Sequence, residues 1–324
     1  FTFFRRAYFP HYCLVGGDSR LHEWLDTELP RMADAPEGVR LAIAAPRGEA
    51  KSTFVSLFFV LWAVLTGRKH YILIIADALE QAASLLGAVK DELEFNEALK
   101  RDFPGAGKGH VWNVGTVVTP GNVKIQALGA GKRMRGLRHG PHRPDLIVLD
   151  DLENYGNVDK PDQRYKLQSW LQKTVLNLGA ADGSMDVVYV GTLLHYDSVL
   201  ARTLRKPLWK ARTFRSILRW PDRMDLWDEW ESLLSSRGEA EARRFYRQHR
   251  AKMEAGAEVS WPASRPLYRL MCLRAEDREA FDSEQQNDPL SANEAPFNGC
   301  ITFWVDRSRD WLLFGAVDPS LGKQ

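Results

Sequence analysis

The chain has 324 residues, enough for one large domain or two ordinary ones, and its 44% hydrophobic and 27% charged residues are those of a soluble globular protein. A formal net charge of +2 excludes a globally basic nucleic-acid binder, so any such surface has to be local. Cys13, Cys272 and Cys300 are odd in number and far apart, which excludes a disulfide framework or a metal clip, and the most apolar run (54–65) is too short to cross a bilayer.

The first forty residues are aromatic-rich, FTFFRRAYFPHY and then LHEWLDTEL, and ADAPEG forms a loop. VRLAIAA reads as a short buried strand leading into APRGEAKST. The following STFVSLFFVLWAVLTG is apolar almost all round and ends at Gly67, the pattern of a buried helix with a glycine stop. YILIIAD is a second buried strand, residues 79–99 an amphipathic helix, and TVVTPGNVKIQALG a hairpin around Pro120-Gly121. PDLIVLDD is a third strand. A helix from about Lys160 follows, with Leu167, Trp170, Leu171 and Leu178 on one stripe, and MDVVYVGT is a fourth strand. Apolar strands without alternation, interleaved with helices, predict an α/β fold with a parallel sheet covered on both faces. Beyond about residue 220 the chain turns helical and charged, residues 260–300 are mixed, and DWLLFGAVDPS starts a new strand. A chain that begins at Phe1 and stops abruptly at Gln324 reads as an excerpt of a longer protein.

APRGEAKST has the outline of a phosphate-binding loop, G-x-x-x-x-G-K-[ST], with Ala45 and Ala50 in place of its glycines and Lys51 and Ser52 intact. A strand before and a helix after are the right context, because backbone N–H groups at a helix N-terminus wrap phosphates. Lys51 is then expected to reach the outer phosphates of ATP and Ser52 to hold Mg²⁺, Thr53 falling one place too late for that role. The loop as a whole comprises Ala45, Pro46, Arg47, Gly48, Glu49, Ala50, Lys51, Ser52 and Thr53. A left-handed Ala50 costs on the order of 1–2 kcal/mol, while Gly48 remains available to bend the loop.

LIVLDDLE places Asp150 at a strand end, followed by Asp151 and, two places on, Glu153. An ATPase needs one such carboxylate on the metal side and a second to align water; the plain alternative is a helix cap. GAGKRMRGLRHGPHR gathers Lys132, Arg133, Arg135, Arg138 and Arg143 in a glycine-rich stretch, a source of an arginine finger or simply a solvated basic loop. Arg135 and Arg138 are the leading finger candidates in trans, and Arg47 is the alternative in cis. Gly191-Thr192, ending a strand, is a candidate γ-phosphate sensor that reports to a moving part. Residues 201–223 carry Arg202, Arg205, Lys206, Lys210, Arg212, Arg215, Arg219 and Arg223, a phosphate-binding stripe or a solvated face.

Taken together these residues resemble the large terminase subunits of tailed bacteriophages, over nearly the whole chain. APRGEAKST resembles their degenerate Walker A motif and PDLIVLDDLEN their Walker B motif, with Asp151 where the family has its catalytic Glu. DQRYKLQSWL and VVYVGTLLHYDSVL are similar to the next helix and the coupling motif, FPHY…LHEWL to the aromatic segment that cradles adenine, and FDSEQQNDP to the connection before a nuclease domain. LLFGAVDPSLGK resembles the first strand of an RNase H-like nuclease, whose opening acid would be Asp318.

The resemblance implies a P-loop NTPase (RecA/ASCE-like) parallel sheet flanked by helices over 1–220, a small helical lid subdomain and linker over 221–300, and the start of a nuclease domain over 301–324. It implies an ATPase that drives DNA into a procapsid, using ATP and Mg²⁺, with a two-metal endonuclease in the full-length protein. The partners it implies are double-stranded DNA, a portal protein and a small terminase subunit. The assembly would be a homo-oligomeric ring on the procapsid, in the host cytoplasm, with no membrane and no place in the mature virion. Asp318 alone cannot hold two divalent ions, so this stretch of chain is not expected to cut DNA. Two other readings share some of these features: a helicase-like P-loop ATPase, and a DNA-binding relic that no longer hydrolyses ATP.

Overall fold

The computed structural model describes residues 1–12 and 17–289. The aromatic amino terminus forms α1 (Thr2–Tyr8) and α2 (Arg20–Ala33). Helix α2 starts in a reciprocal cap: the Ser19 hydroxyl accepts from His22 N (3.3 Å), and His22 Nδ1 accepts from Ser19 N (3.1 Å). β1 (Arg40–Ala44) leads through the phosphate-loop stretch into a buried helix. That helix is wound as a π-helix over Thr53–Phe59 before continuing as α3 (Val60–Leu65). It stops at Gly67, as its sequence predicts; Gly67 has φ 70°, and Arg68 N closes the end on Ala63 O at 2.9 Å.

β2 (Tyr71–Ala76) and α4 (Leu79–Phe95) come next. The helix expected over 79–99 breaks early because the Asn96 side chain accepts from Leu99 N (3.2 Å) and caps a new one, α5 (Glu97–Asp102). The chain then forms β3 (Val111–Trp112), β4 (Thr116–Val118), β5 (Lys124–Gly129) and β6 (Leu146–Asp150). α6 (Tyr155–Val158), α7 (Pro161–Lys173), β7 (Asp186–Gly191), α8 (Val199–Leu204) and β8 (Lys210–Thr213) complete this half. The remainder is β9 (Ile217–Arg219), α9 (Met224–Arg237), α10 (Glu239–Met253), β10 (Glu258–Val259), α11 (Leu267–Glu276) and α12 (Arg278–Glu284).

The fold is mixed α/β, a mostly parallel eight-stranded sheet flanked by helices, in the order β3-β4-β5-β2-β6-β7-β1-β8. Every pair from β5 to β8 is parallel; β3, β4 and β5 are antiparallel, which includes the hairpin expected at Pro120-Gly121. Successive residues of each apolar strand enter opposite cores. Leu41, Ile43, Ile72, Ile74, Leu146 and Val148 face the side of α2, α3 and α4. Ala42, Ala44, Leu73, Ile75, Ile147 and Leu149 face the side of α7 and α8. Both faces are therefore covered, which is why these strands read as continuous apolar runs. Two features escape the sequence pattern. β5 is more than a hairpin arm, since it pairs in parallel with β2. β8 lies hidden in the basic stretch, and its residues KART are all exposed because it is an edge strand.

The helical part has a core of its own, built on Trp227, Trp230, Tyr246, Leu270, Met271 and Phe281. Ile217 and Val259, from β9 and β10, which pair as a separate two-stranded sheet, join that core.

Candidate functional site

In the sheet order β6-β7-β1, strand β7 stands between the strand carrying the acids and the strand carrying the phosphate-loop stretch. All three are parallel, so their C-terminal tips lie side by side. The tips are laced together. Ala45 N donates to Gly191 O (2.9 Å), Asp151 N to Val190 O (3.0 Å), and Thr192 Oγ1 to Ala45 O (3.1 Å). Topology alone thus gathers Ala45, Asp151 and Gly191-Thr192 from three distant parts of the sequence.

The loop has the backbone that its sequence makes expensive. Gly48 lies at φ 79° and Ala50 at φ 54°, both in the left-handed region. For an alanine this costs on the order of 1–2 kcal/mol. Ala50→Gly should therefore stabilise the protein by about 1 kcal/mol in urea unfolding, some of the relief being returned to the freer unfolded chain. No change in the unfolding midpoint would mean that the loop relaxes into another conformation.

Lys51, with a side chain only 7% exposed, ion-pairs with Asp151 (Nζ–Oδ2 3.1 Å). The Ser52 hydroxyl donates to Asp150 Oδ1 (3.0 Å), and Ser56, from the π-helical turn, donates to Oδ2 (2.5 Å). Asp150 is fully buried, and burial followed by the charge of Asp151 pushes its carboxyl well above the usual range. A hydroxyl and a carboxylate so placed suit a hard divalent ion that keeps most of its waters, as Mg²⁺ does. Among the described residues no group of three or more His, Cys, Asp or Glu side chains is placed to hold a metal ion.

The two candidate water-aligning acids differ sharply. Asp151 has φ 47° and faces a cavity of about 210 Å³ lined also by Arg47, Lys51, Asp77, Tyr155 and Thr192. Glu153 lines the same cavity, but its oxygens accept from Val199 N (2.7 Å), Leu200 N (3.0 Å) and the Tyr189 hydroxyl (3.1 Å). Together with the N-cap Ser198 it holds the first turn of α8, a helix nearly fifty residues away, while the adjoining α6 is capped by Asn154.

The arginines also separate. Arg47 Nη1 donates to Glu284 Oε1 (2.6 Å), and its backbone N donates to Glu284 O (2.8 Å). Arg133, Arg135, Arg138 and Arg143 are exposed on the β5–β6 loop and do not line the cavity. That loop is anchored by buried Met134 and by the Trp170 indole, which donates to Lys132 O (2.8 Å). The basic stretch 201–223 is partly neutralised: Arg202 pairs with Asp197 (2.6 Å), Arg223 with Asp225 (2.6 Å), and Lys210 with Glu28. In the aromatic segment Phe9 stacks on Phe58 (4.9 Å), whereas Trp24 packs edge-on against Phe214 (5.6 Å). Asp318 and the segment 301–324 lie outside the described residues.

Several neighbours of the loop are not foreseen from sequence. Gln285, Gln286 and Asn287 are consecutive, polar and buried. Asn287 Oδ1 accepts from Leu193 N (2.8 Å) just beyond Thr192, and its Nδ2 donates to Phe214 O (2.8 Å). Gln285 O accepts from Ser216 N (2.8 Å). Residues 284–287 are thus threaded past the loop, the tip of β7 and the exit of β8. The run of uncharged amides in FDSEQQNDP is the one signal that marks them.

No protein-family model matches the sequence, and no curated protein is similar to it at a significant level. Among solved structures the fold is similar to that of the bacteriophage HK97 large terminase (TM-score 0.45, 19% identity, 78% of this chain and 53% of that one). It is also similar to the large terminase ATPase domain of Thermus phage P74-26 (0.41, 14%, 81% and 92%) and to a mutant of that domain (0.38, 12%, 81% and 93%). The chain spans about half the length of the HK97 protein. Similarity at these levels concerns the fold alone. Among the described residues no helix is long and apolar enough to cross a membrane.

Proposed function

We propose that the chain is a P-loop ATPase of the terminase kind, hydrolysing ATP to move double-stranded DNA into a viral procapsid. The observation that carries this reading is the arrangement Asp150–Ser52 and Asp151–Lys51 at neighbouring strand tips. Phosphates would lie on the N–H groups of Gly48, Ala50, Lys51 and Ser52, and Lys51 would exchange its Asp151 partner for the outer phosphates. That exchange frees the Asp151 carboxylate to orient the attacking water. Ser52 and Asp150 would hold Mg²⁺, which supplies neutralisation of the phosphate oxygens when bound. Thr192, bonded to the loop through Ala45 O, lies one residue before the Leu193–Asn287 bond, a short route from the phosphates to the helical part.

Arg135 and Arg138, exposed and away from their own cavity, suit a finger that acts on a neighbouring subunit of a homo-oligomeric ring. Arg47 is held by Glu284 and remains the finger in cis. The helical part plays the lid, and Asp318 opens the nuclease, whose two metal ions need acids from further strands. A portal protein and a small terminase subunit complete the proposed assembly.

Phosphate release measured with and without double-stranded DNA tests the reading. Mg²⁺-dependent hydrolysis that DNA stimulates is expected. Turnover at background in both conditions would leave the DNA-binding relic as the better account.

A further inference from the structure

Besides Arg47 and Lys51, a further cation lies on the phosphate loop, and it comes from the helical part. The turn Trp261–Arg265, closed by Arg265 N on Trp261 O (2.8 Å), joins β10 to α11. Trp261 packs edge-on against His22 (4.8 Å). Because Nδ1 of that ring is an acceptor, Nε2 carries the proton and donates to Glu49 O (3.0 Å), so the turn is braced against the loop. The Arg265 guanidinium rests where Gly48 has no side chain: a Cβ built there would meet Nη2 at 1.9 Å. Nη1 donates to Gln285 Oε1 (2.8 Å), which also accepts from the Ser216 hydroxyl (3.0 Å).

The charges around this arginine are poorly matched. Arg265 is half-buried and makes no ion pair with any described residue. Its immediate hydrogen-bond partner is a neutral amide. The nearby Glu49 is fully buried; Oε2 accepts only a long bond from Ser260 (3.4 Å), and Oε1 has no partner among the described residues. Burial pushes the Glu49 carboxyl up to about 7, so the charge available to Arg265 from it is weak near neutral pH. A partly desolvated guanidinium without a full counter-charge is costly unless an anion completes it, and guanidinium is the side chain best shaped for phosphate.

We propose that Arg265, which lies over Gly48 and outside the lining of the cavity that Lys51 and Asp151 face, contacts the phosphates of the nucleotide bound at the loop, a further cationic group besides Lys51 and Arg47 that ties the helical part to nucleotide occupancy. The proposal rests on the reading of Ala45–Thr53 as the ATP site. It gives Gly48 two reasons to be glycine, its φ of 79° and the room it leaves for Arg265. The competing account is structural: Arg265 serves only to pin Gln285.

Arg265→Gln separates the two, since the amide keeps a donor for Gln285 and loses the charge. Titration with a fluorescent ATP analogue, and with inorganic triphosphate as competitor, should show Arg265→Gln binding about tenfold more weakly, the scale of one charge-assisted contact. Arg265→Lys should recover most of that loss, and the melting temperature without nucleotide should be the same for the Gln variant and the parent. Parental affinity in Arg265→Gln overturns the proposal, as does an equal loss in Arg265→Lys. Should the Gln variant fail to fold, Arg265→Lys against Arg265→Met makes the same comparison of charge. Lys51→Ala serves as reference. If it too binds normally, the phosphate-loop reading fails; if it alone loses binding, only the role of Arg265 does.

Discussion

Lys51→Ala is expected to abolish ATP hydrolysis while leaving the fold intact. The ammonium is the main cationic contact available to the outer phosphates from the loop itself, and removal of one such electrostatic group typically lowers turnover by about 10²–10³ or more. The structural cost should be small. Asp151, the partner left behind, has a side chain 31% exposed and can be solvated. Asp150 keeps both of its hydroxyl donors, Ser52 and Ser56. Phosphate release and thermal melting measured on the same preparation separate the two effects. A variant that melts like the parent and retains most of its turnover would rule out this loop as the site.

Much of this arrangement is legible in the sequence, for identifiable reasons. The apolar strands announce a sheet covered on both faces because each residue has a core to enter, Ile147 one and Val148 the other. Asp150 and Ser52 are legible as a pair because a short motif fixes each one at the end of its own element. The left-handed turn at Ala50 follows from the loop pattern, since the position belongs to a glycine. What stays hidden is set by contacts between distant residues. Ser56 lies in an apolar run and reads as filler, yet its hydroxyl reaches Asp150 ninety-four residues on. Glu153 looks like a catalytic alternative until the amides of Val199 and Leu200 fold onto it. Arg265 and Gln285 meet the loop across more than two hundred residues, and no local periodicity encodes such a meeting. β8 is hidden for the opposite reason: an edge strand with exposed side chains carries no apolar signal.

Asp151→Asn should lose turnover by about a hundredfold or more while still binding ATP, whereas Glu153→Gln should mainly lose stability. The asymmetry follows from what each carboxylate touches. Asp151 faces the cavity and, among the described residues, ion-pairs only with Lys51, so its neutral amide leaves the lysine free for phosphate but removes the group that can take a proton from water. Its side chain is shorter than a glutamate, which suits action through an intervening water. Glu153 accepts from two backbone amides and the Tyr189 hydroxyl, so its loss leaves two first-turn amides of α8 without their acceptor while the Ser198 cap stays in place. Burial already pushes the Glu153 carboxyl up, so a neutral Gln that retains one carbonyl acceptor should cost only about 1–2 kcal/mol of unfolding free energy. Single-turnover hydrolysis, nucleotide binding and urea unfolding, measured on both variants, give the comparison. If Glu153→Gln binds ATP, melts normally and yet fails to turn over while Asp151→Asn stays active, the water is aligned by Glu153, and the ion pair of Asp151 with Lys51 only holds the loop ready for phosphate.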